Sequence, residues 1–96
     1  MQSEDFKLLA ISAPIPNLSY QQAKALADQL IDAHVEEPML VAWYDGKKGE
    51  EHPEVHECSI KPGWIAYAEG HGGCIQVDVN GDEYRFIYAD LAVEEL

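Results

Sequence analysis

The sequence predicts a single α+β domain over residues 1–96, in which one helix packs on one face of a mostly antiparallel sheet of five or six strands. Three observations lead to this fold class: a hairpin pattern around Asn80-Gly81, one amphipathic segment that begins near Ser19, and several short alternating or apolar runs. A lone amphipathic helix buries its apolar stripe most simply across a sheet face. The predicted order of elements is β-α-β-β-β-β.

The hairpin is predicted at residues 73–88, where two alternating runs flank Asn80-Gly81. A two-residue turn needs positive φ at both central positions, which Asn tolerates and Gly adopts freely. One face of the ribbon is then apolar and aromatic, and the other is mixed, as expected of a sheet with one side on a core. The predicted cross-strand pairs are Val79 with Asp82, Val77 with Tyr84, Ile75 with Phe86, Asp78 with Glu83, Gln76 with Arg85, and Cys74 with Ile87.

The first strand is predicted at residues 5–12, where apolar side chains occupy both faces. Pro14 and Pro16 end it, because proline cannot continue a ladder of hydrogen bonds. A helix is predicted from Ser19 to about Val35, since Ser19 and Gln22 fit a capping box. Its apolar stripe consists of Ala23, Leu26, Ala27, Leu30, Ile31 and His34.

Two further strands are predicted after the helix. Residues 39–44 are almost continuously apolar, which favours a central strand. Residues 63–69 alternate, with Trp64 on one face and Tyr67 on the other, and are predicted to be a strand as well. The acidic segment 50–57 lies between them.

The charge of the chain restricts its partners. Eighteen acidic and six basic residues give a formal net charge of −12. Nucleic acids and anionic membranes are therefore not expected partners, since affinity for phosphate comes largely from Lys and Arg. Glu4 and Asp5 stand where a signal peptide would be basic, and the apolar run 38–44 is too short to span a bilayer, so the expected location is the cytoplasm.

A zinc site is one hypothesis for the His and Cys residues. His52, Glu54, His56 and Cys58 occupy alternate positions, so in an extended strand all four would point to one face. The alternative is an exposed acidic loop, because Cys-x2-Cys pairs are missing and Pro53 interrupts the strand pattern. The candidate metal ligands are His52, His56, Cys58, His71 and Cys74.

The same residues raise the question of catalysis. Cys74 or Cys58 activated by a neighbouring histidine would be a nucleophile, with Gly72 and Gly73 as oxyanion donors. An activated thiol needs an electropositive setting, which this acidic chain hardly offers. The sequence therefore does not favour an enzyme, and the glycines are explained equally well by a tight turn. The predicted Asp78–Glu83 pair is either solvated near the turn or shares a cation.

Several turn and strand signatures stand out in the second half of the chain. They are residues 61–64 (Lys-Pro-Gly-Trp), 67–73 (Tyr-Ala-Glu-Gly-His-Gly-Gly), 79–81 (Val-Asn-Gly) and 84–88 (Tyr-Arg-Phe-Ile-Tyr). Taken together, they resemble a family of small, uncharacterised prokaryotic α+β domains of unknown function. The resemblance implies the fold and supplies no activity, cofactor or site residues.

The sequence predicts a binding or assembly module that forms a homodimer through the uncovered sheet face or an edge strand. One alternative is a zinc-binding protein that uses the His and Cys ligands named above. Another is an acidic domain that docks on a basic protein, since charge complementarity speeds association.

Overall fold

A computed structural model of the chain describes residues 6–54 and 62–92. This part of the chain forms a single five-stranded sheet with two helices, so the α+β class is confirmed. The described residues contain no helix with the length and apolar character needed to cross a membrane. In chain order the elements are β1 (Lys7–Ile11), α1 (Tyr20–Asp32), β2 (Pro38–Asp45), β3 (Glu50–His52), α2 (Gly63–Gly70), β4 (Gly73–Val79) and β5 (Tyr84–Asp90).

The sheet is mixed, with strand order β1-β4-β5-β2-β3. β1 runs parallel to β4, and the other neighbouring strands are antiparallel. The prediction of a mostly antiparallel sheet is therefore wrong, because the sheet is mixed and β1 is parallel to its neighbour. Alternation along a strand has the same period in both kinds of sheet, so it could not show that the chain crosses over between β1 and β4.

The segment predicted as a strand at residues 63–69 is helix α2. The predicted element order, which contained only one helix, is therefore also wrong. Trp64, Ile65 and Ala68 are buried, at the spacing of one helix face. The segment is apolar at nearly every position, so periodicity alone fits a strand and a helix equally well. Pro62 precedes the first helical residue, and its fixed φ suits the start of a helix.

The hairpin is confirmed in its faces but not in its register. Asn80 and Gly81 have positive φ, as predicted, yet the connection is four residues long. The pairs are therefore Val79 with Tyr84 and Asp78 with Arg85, two residues away from the predicted register. A shift of two leaves the paired side chains from Gln76 to Val79 on their predicted faces, because side chains alternate with a period of two. Cys74 is an exception: the ladder is irregular between Gly73 and Ile75, and Cys74 packs against the cluster under α1 and not beside Ile87. Asp78 thus faces a cation and not Glu83.

Helix α1 begins with the predicted capping box. Gln22 N donates to Ser19 Oγ (3.1 Å), and Ser19 N donates to Gln22 Oε1 (2.9 Å). The helix ends at Asp32, short of the predicted Val35, so His34 lies beyond it and is exposed. The apolar stripe of α1 packs on one sheet face, in a cluster that contains Ala23, Ala27, Ile31, Ile75, Val77, Val79, Tyr84, Phe86 and Tyr88.

Helix α2 packs on the opposite face of the sheet, which corrects the prediction of a single covered face. Phe86 and Ile87 are consecutive in β5 and therefore point to opposite faces. Phe86 belongs to the cluster under α1, and Ile87 to a second cluster under α2. The second cluster contains Phe6, Ala42, Trp64, Ile65, Ala68 and Ile87.

Strand β1 is joined to the hairpin loop by the side chain of Asn80. Asn80 Oδ1 accepts from Ala13 N (2.7 Å), and Asn80 Nδ2 donates to Ala13 O (2.9 Å). Asn80 N also donates to Ile11 O (2.9 Å), which prolongs the β1–β4 contact beyond the last strand residues. One side chain therefore replaces a pair of backbone hydrogen bonds at this end of the sheet.

Candidate functional site

A row of polar side chains crosses the α2 face of the sheet. Its members are cross-strand partners in four neighbouring strands, so they lie side by side on one face. From β4 to β3, the row is Asp78, Arg85, Tyr44 and Glu51. We call these four residues the polar row.

A cleft of about 530 Å³ lies over the polar row, beside the first turn of α2. Its volume is within the usual range of small-molecule pockets. Asp82 reaches the cleft from the hairpin loop, which is held close to the β2–β3 turn. There Gly46 N donates to Glu83 O (2.8 Å), and a Cβ at Gly46 would lie 1.9 Å from Asp82 O. The lining residues are Tyr44, Glu51, Gln76 and Arg85 from the sheet, Trp64 and Ile65 from α2, Pro62 directly before α2, and Asp82.

Arg85 is the sole arginine of the chain, and it lies in the middle of the polar row. Its Nε is buried and has no hydrogen-bond acceptor among the residues that the structure describes. Asp78 Oδ1 lies 3.8 Å from Arg85 Nε, which is within ion-pair range but beyond hydrogen-bond distance. The side chain as a whole is 33% exposed, so the guanidinium is partly withdrawn from water while it lines an open cleft.

Asp78 and Gln76 are buried beside Arg85. Gln76 Nε2 donates to Asp78 Oδ1 (2.8 Å), and Gln76 is only 1% exposed. Burial raises the pKa of Asp78 above its ordinary value, against the opposing effects of the Gln76 hydrogen bond and the charge of Arg85. The carboxyl group thus holds a proton more readily here than it would in water.

An aromatic pair forms one wall of the cleft. The rings of Tyr44 and Trp64 are stacked, with centroids 5.8 Å apart and an interplanar angle of 18°. Trp64 is buried and Tyr44 half-buried, so Tyr44, the cross-strand partner of Arg85, provides most of the exposed aromatic surface of this wall. The site therefore combines a partly desolvated cation, buried hydrogen-bonding groups and an apolar wall, which is the composition of a binding pocket.

The structure separates two of the predicted metal ligands, His52 and Cys74. His52 lies on β3, and its ring stacks on Trp43 at 4.6 Å. Cys74 lies on β4 and packs against the cluster under α1. Two strands, β5 and β2, lie between them, which places the two residues roughly 14 Å apart or more. A single tetrahedral metal ion cannot bind both.

His71 follows α2 directly. Its Nδ1 lies 2.8 Å from Tyr67 O, and its ring stacks on Tyr67 at 3.9 Å. His56 and Cys58 lie outside the described residues. Within the two described ranges, three or more His, Cys, Asp or Glu residues do not come together as a metal-binding group. Zinc binding that involves His56 or Cys58 stays a prediction.

The sequence pattern did not reveal the cleft. It placed Gln76 and Arg85 on the mixed face of the hairpin but gave no reason to expect that Gln76 is buried and Arg85 partly buried. The signal that could have shown this is the pair Gln76 and Asp78 at alternate positions of an otherwise apolar strand, with Arg85 in the strand that follows. These polar positions indicate a buried site only once α2 is known to lie on the same face of the sheet.

A family model described as a domain of unknown function, DUF5619, matches residues 6–88. The chain belongs to the DUF5619 family. The resemblance to small domains of unknown function is thereby confirmed, and the matched range includes all five strands down to Tyr88 in β5. No curated protein matches the chain.

The DUF5619 chain is also similar to a solved structure, the crystal structure of a novel protein from Archeoglobus fulgidus DSM 4304. The sequences are 23% identical, and the similarity covers 94% of this chain and 99% of the other, with a TM-score of 0.76. At this identity the likeness shows the fold alone. The two proteins therefore share the arrangement of strands and helices on which the cleft is built.

Proposed function

We propose that this DUF5619 domain is a small-molecule binding module and that its ligand occupies the cleft over the polar row. The observation that carries the proposal is Arg85, whose Nε is buried without an acceptor in the described chain. Leaving a buried donor unpaired costs about 1–3 kcal/mol, so a fold tolerates it mainly where the group serves another purpose. An anionic ligand that engages the guanidinium recovers part of this cost.

The chemistry of the walls defines the class of ligand. A carboxylate or phosphate group fits Arg85, since a guanidinium presents a planar fork to such anions. A flat ring fits beside the stacked Tyr44 and Trp64. Glu51 and Asp82 line the same cleft, so the ligand also carries a hydrogen-bond donor or a positive group. The proposed ligand is therefore a small planar compound that carries a carboxylate or phosphate and also a hydrogen-bond donor or a positive group.

Arg85→Gln tests this proposal, with Lys7→Gln as its matched control. Both changes remove one positive charge, but Lys7 pairs with Ile75 and so lies on the α1 face of the sheet. A panel of small aromatic amino-carboxylates and phosphates is titrated into the full chain and followed by the shift in melting temperature. We expect at least one compound to bind, with about ten- to hundredfold weaker affinity for Arg85→Gln and unchanged affinity for Lys7→Gln.

Equal affinity of Arg85→Gln and the unchanged chain would overturn the role of Arg85. Failure of the whole panel to bind would remove the proposed ligand class. Docking on a basic protein stays a prediction that follows from the net charge of −12.

A further inference from the structure

The two edges of the sheet differ in how they are protected. β3 forms one edge with only three residues, two of which are Glu50 and Glu51. Short, charged edge strands discourage pairing with another chain. β1 forms the other edge with five residues, Lys7–Ile11, and among the described strands it pairs with β4 alone. Within residues 6–54 and 62–92, the outer side of β1 thus carries no further strand.

The charge distribution favours β1 as the place where two copies meet. None of the eighteen acidic residues lies between positions 6 and 27, although the chain has a net charge of −12. Two such chains repel each other over most of their surface, and repulsion is weakest where acids are missing. The acid-free stretch contains the whole of β1.

The side chains of β1 are compatible with antiparallel pairing to themselves. In a pair centred on Leu9, Leu8 lies opposite the partner's Ala10, and Lys7 lies opposite the partner's Ile11. No lysine then faces a lysine. Leu8 is 49% exposed and Ala10 is exposed, and both lie on the α2 face because they pair with Gln76 and Asp78. The contact would therefore remove an exposed leucine from water in each copy.

We propose that two copies of this chain pair β1 to β1, antiparallel about a two-fold axis at Leu9, to form a continuous ten-stranded sheet. This dimer does not require a bound ligand, because Arg85 and Tyr44 lie on β5 and β2, although Leu8 and Ala10 neighbour Gln76 and Asp78 at the margin of the ligand site. Pairing along five residues buries little area, so the dimer dissociates on dilution. Added salt strengthens it, since salt screens the repulsion between two acidic chains.

Sedimentation velocity of the full chain over a range of concentrations tests this interface. The unchanged chain is expected to show a reversible monomer–dimer equilibrium, and Leu8→Glu to shift it by at least tenfold towards monomer. Leu91→Glu is the matched control, because Leu91 is 56% exposed and lies beyond the end of β5. It adds the same charge and should leave the equilibrium unchanged.

Circular dichroism shows whether Leu8→Glu remains folded. Should it unfold, Lys7→Glu introduces a carboxylate at an exposed position of the same edge and is expected to have the same effect. A monomer at every concentration would overturn the proposal. So would a dimer that Leu91→Glu disrupts and the β1 variants do not.

Discussion

The two faces of the sheet are built from the same strands but differ in what covers them. On one face the thirteen-residue α1 places Ala23, Ala27 and Ile31, all fully buried, over apolar side chains. On the other face the eight-residue α2 is about 12 Å long, against about 20 Å for α1. The shorter helix leaves the polar row beside it and a cleft over the row. We infer that the α1 face provides stability and the α2 face provides a binding site.

The largest effect is expected from truncating a side chain on the α1 face. Phe86 is fully buried, whereas its neighbour Arg85 lines the cleft on the opposite face. Phe86→Ala should lower the free energy of unfolding by about 3–5 kcal/mol, because it leaves a cavity in a close-packed core. Arg85→Gln should change the free energy of unfolding by less than about 1 kcal/mol. The variant loses an unpaired buried donor, which is favourable, and it also loses the positive charge near Asp78, which is unfavourable, so the two effects oppose each other. Chemical denaturation measures both values, and equal losses would contradict the division between the faces.

A smaller effect is expected at the loop that ties β1 to the rest of the sheet. Asn80→Gly keeps the positive φ of 53° accessible but removes the hydrogen bonds to Ala13, at a cost of about 1–3 kcal/mol. Asn80→Ala should cost roughly 1 kcal/mol more, since alanine disfavours the left-handed conformation. Thermal or chemical unfolding of the two variants separates these contributions. Equal stability of the two would show that φ at this position is unimportant.

The smallest effect concerns pH and the buried acid of the polar row. Burial raises the folded-state pKa of Asp78 above its unfolded value, so the stability that it contributes is complete below the unfolded pKa. This contribution is lost as pH rises through the folded pKa. Asp78→Asn keeps a hydrogen-bond acceptor for Gln76 but cannot ionise. Its stability relative to the unchanged chain should therefore improve from acidic to neutral pH, and a constant difference in denaturation midpoints would contradict this assignment.

The sequence was informative wherever a local pattern determines local structure. The capping box at Ser19, the buried stripe from Ala23 to Ile31 and the positive φ at Asn80 and Gly81 were all predicted and are present. The two-residue error in hairpin register left the faces from Gln76 to Val79 intact, because the side-chain period is also two, and only Cys74, at the irregular start of β4, changed face.

The predictions that were wrong concern features that depend on tertiary structure. Residues 63–70 are apolar on all sides, so only packing against the sheet decides between a strand and a helix. The parallel partner of β1 lies more than sixty residues away along the chain, as the pairing of Lys7 with Ile75 shows, and no turn signal specifies it. The candidate site depends on α2, because the cleft lies beside the first turn of this helix.

Mapping of amide chemical shifts is the most direct test of the division between the two faces. A compound from the panel that raises the melting temperature is titrated into isotope-labelled protein. We predict shifts for Tyr44, Trp64 and Arg85 around the cleft, and unchanged resonances for Ala27 and Ile31 in α1. Shifts centred on α1, where Lys24, Asp28 and Tyr88 line a second cleft of about 270 Å³, would contradict the assignment of binding to the α2 face.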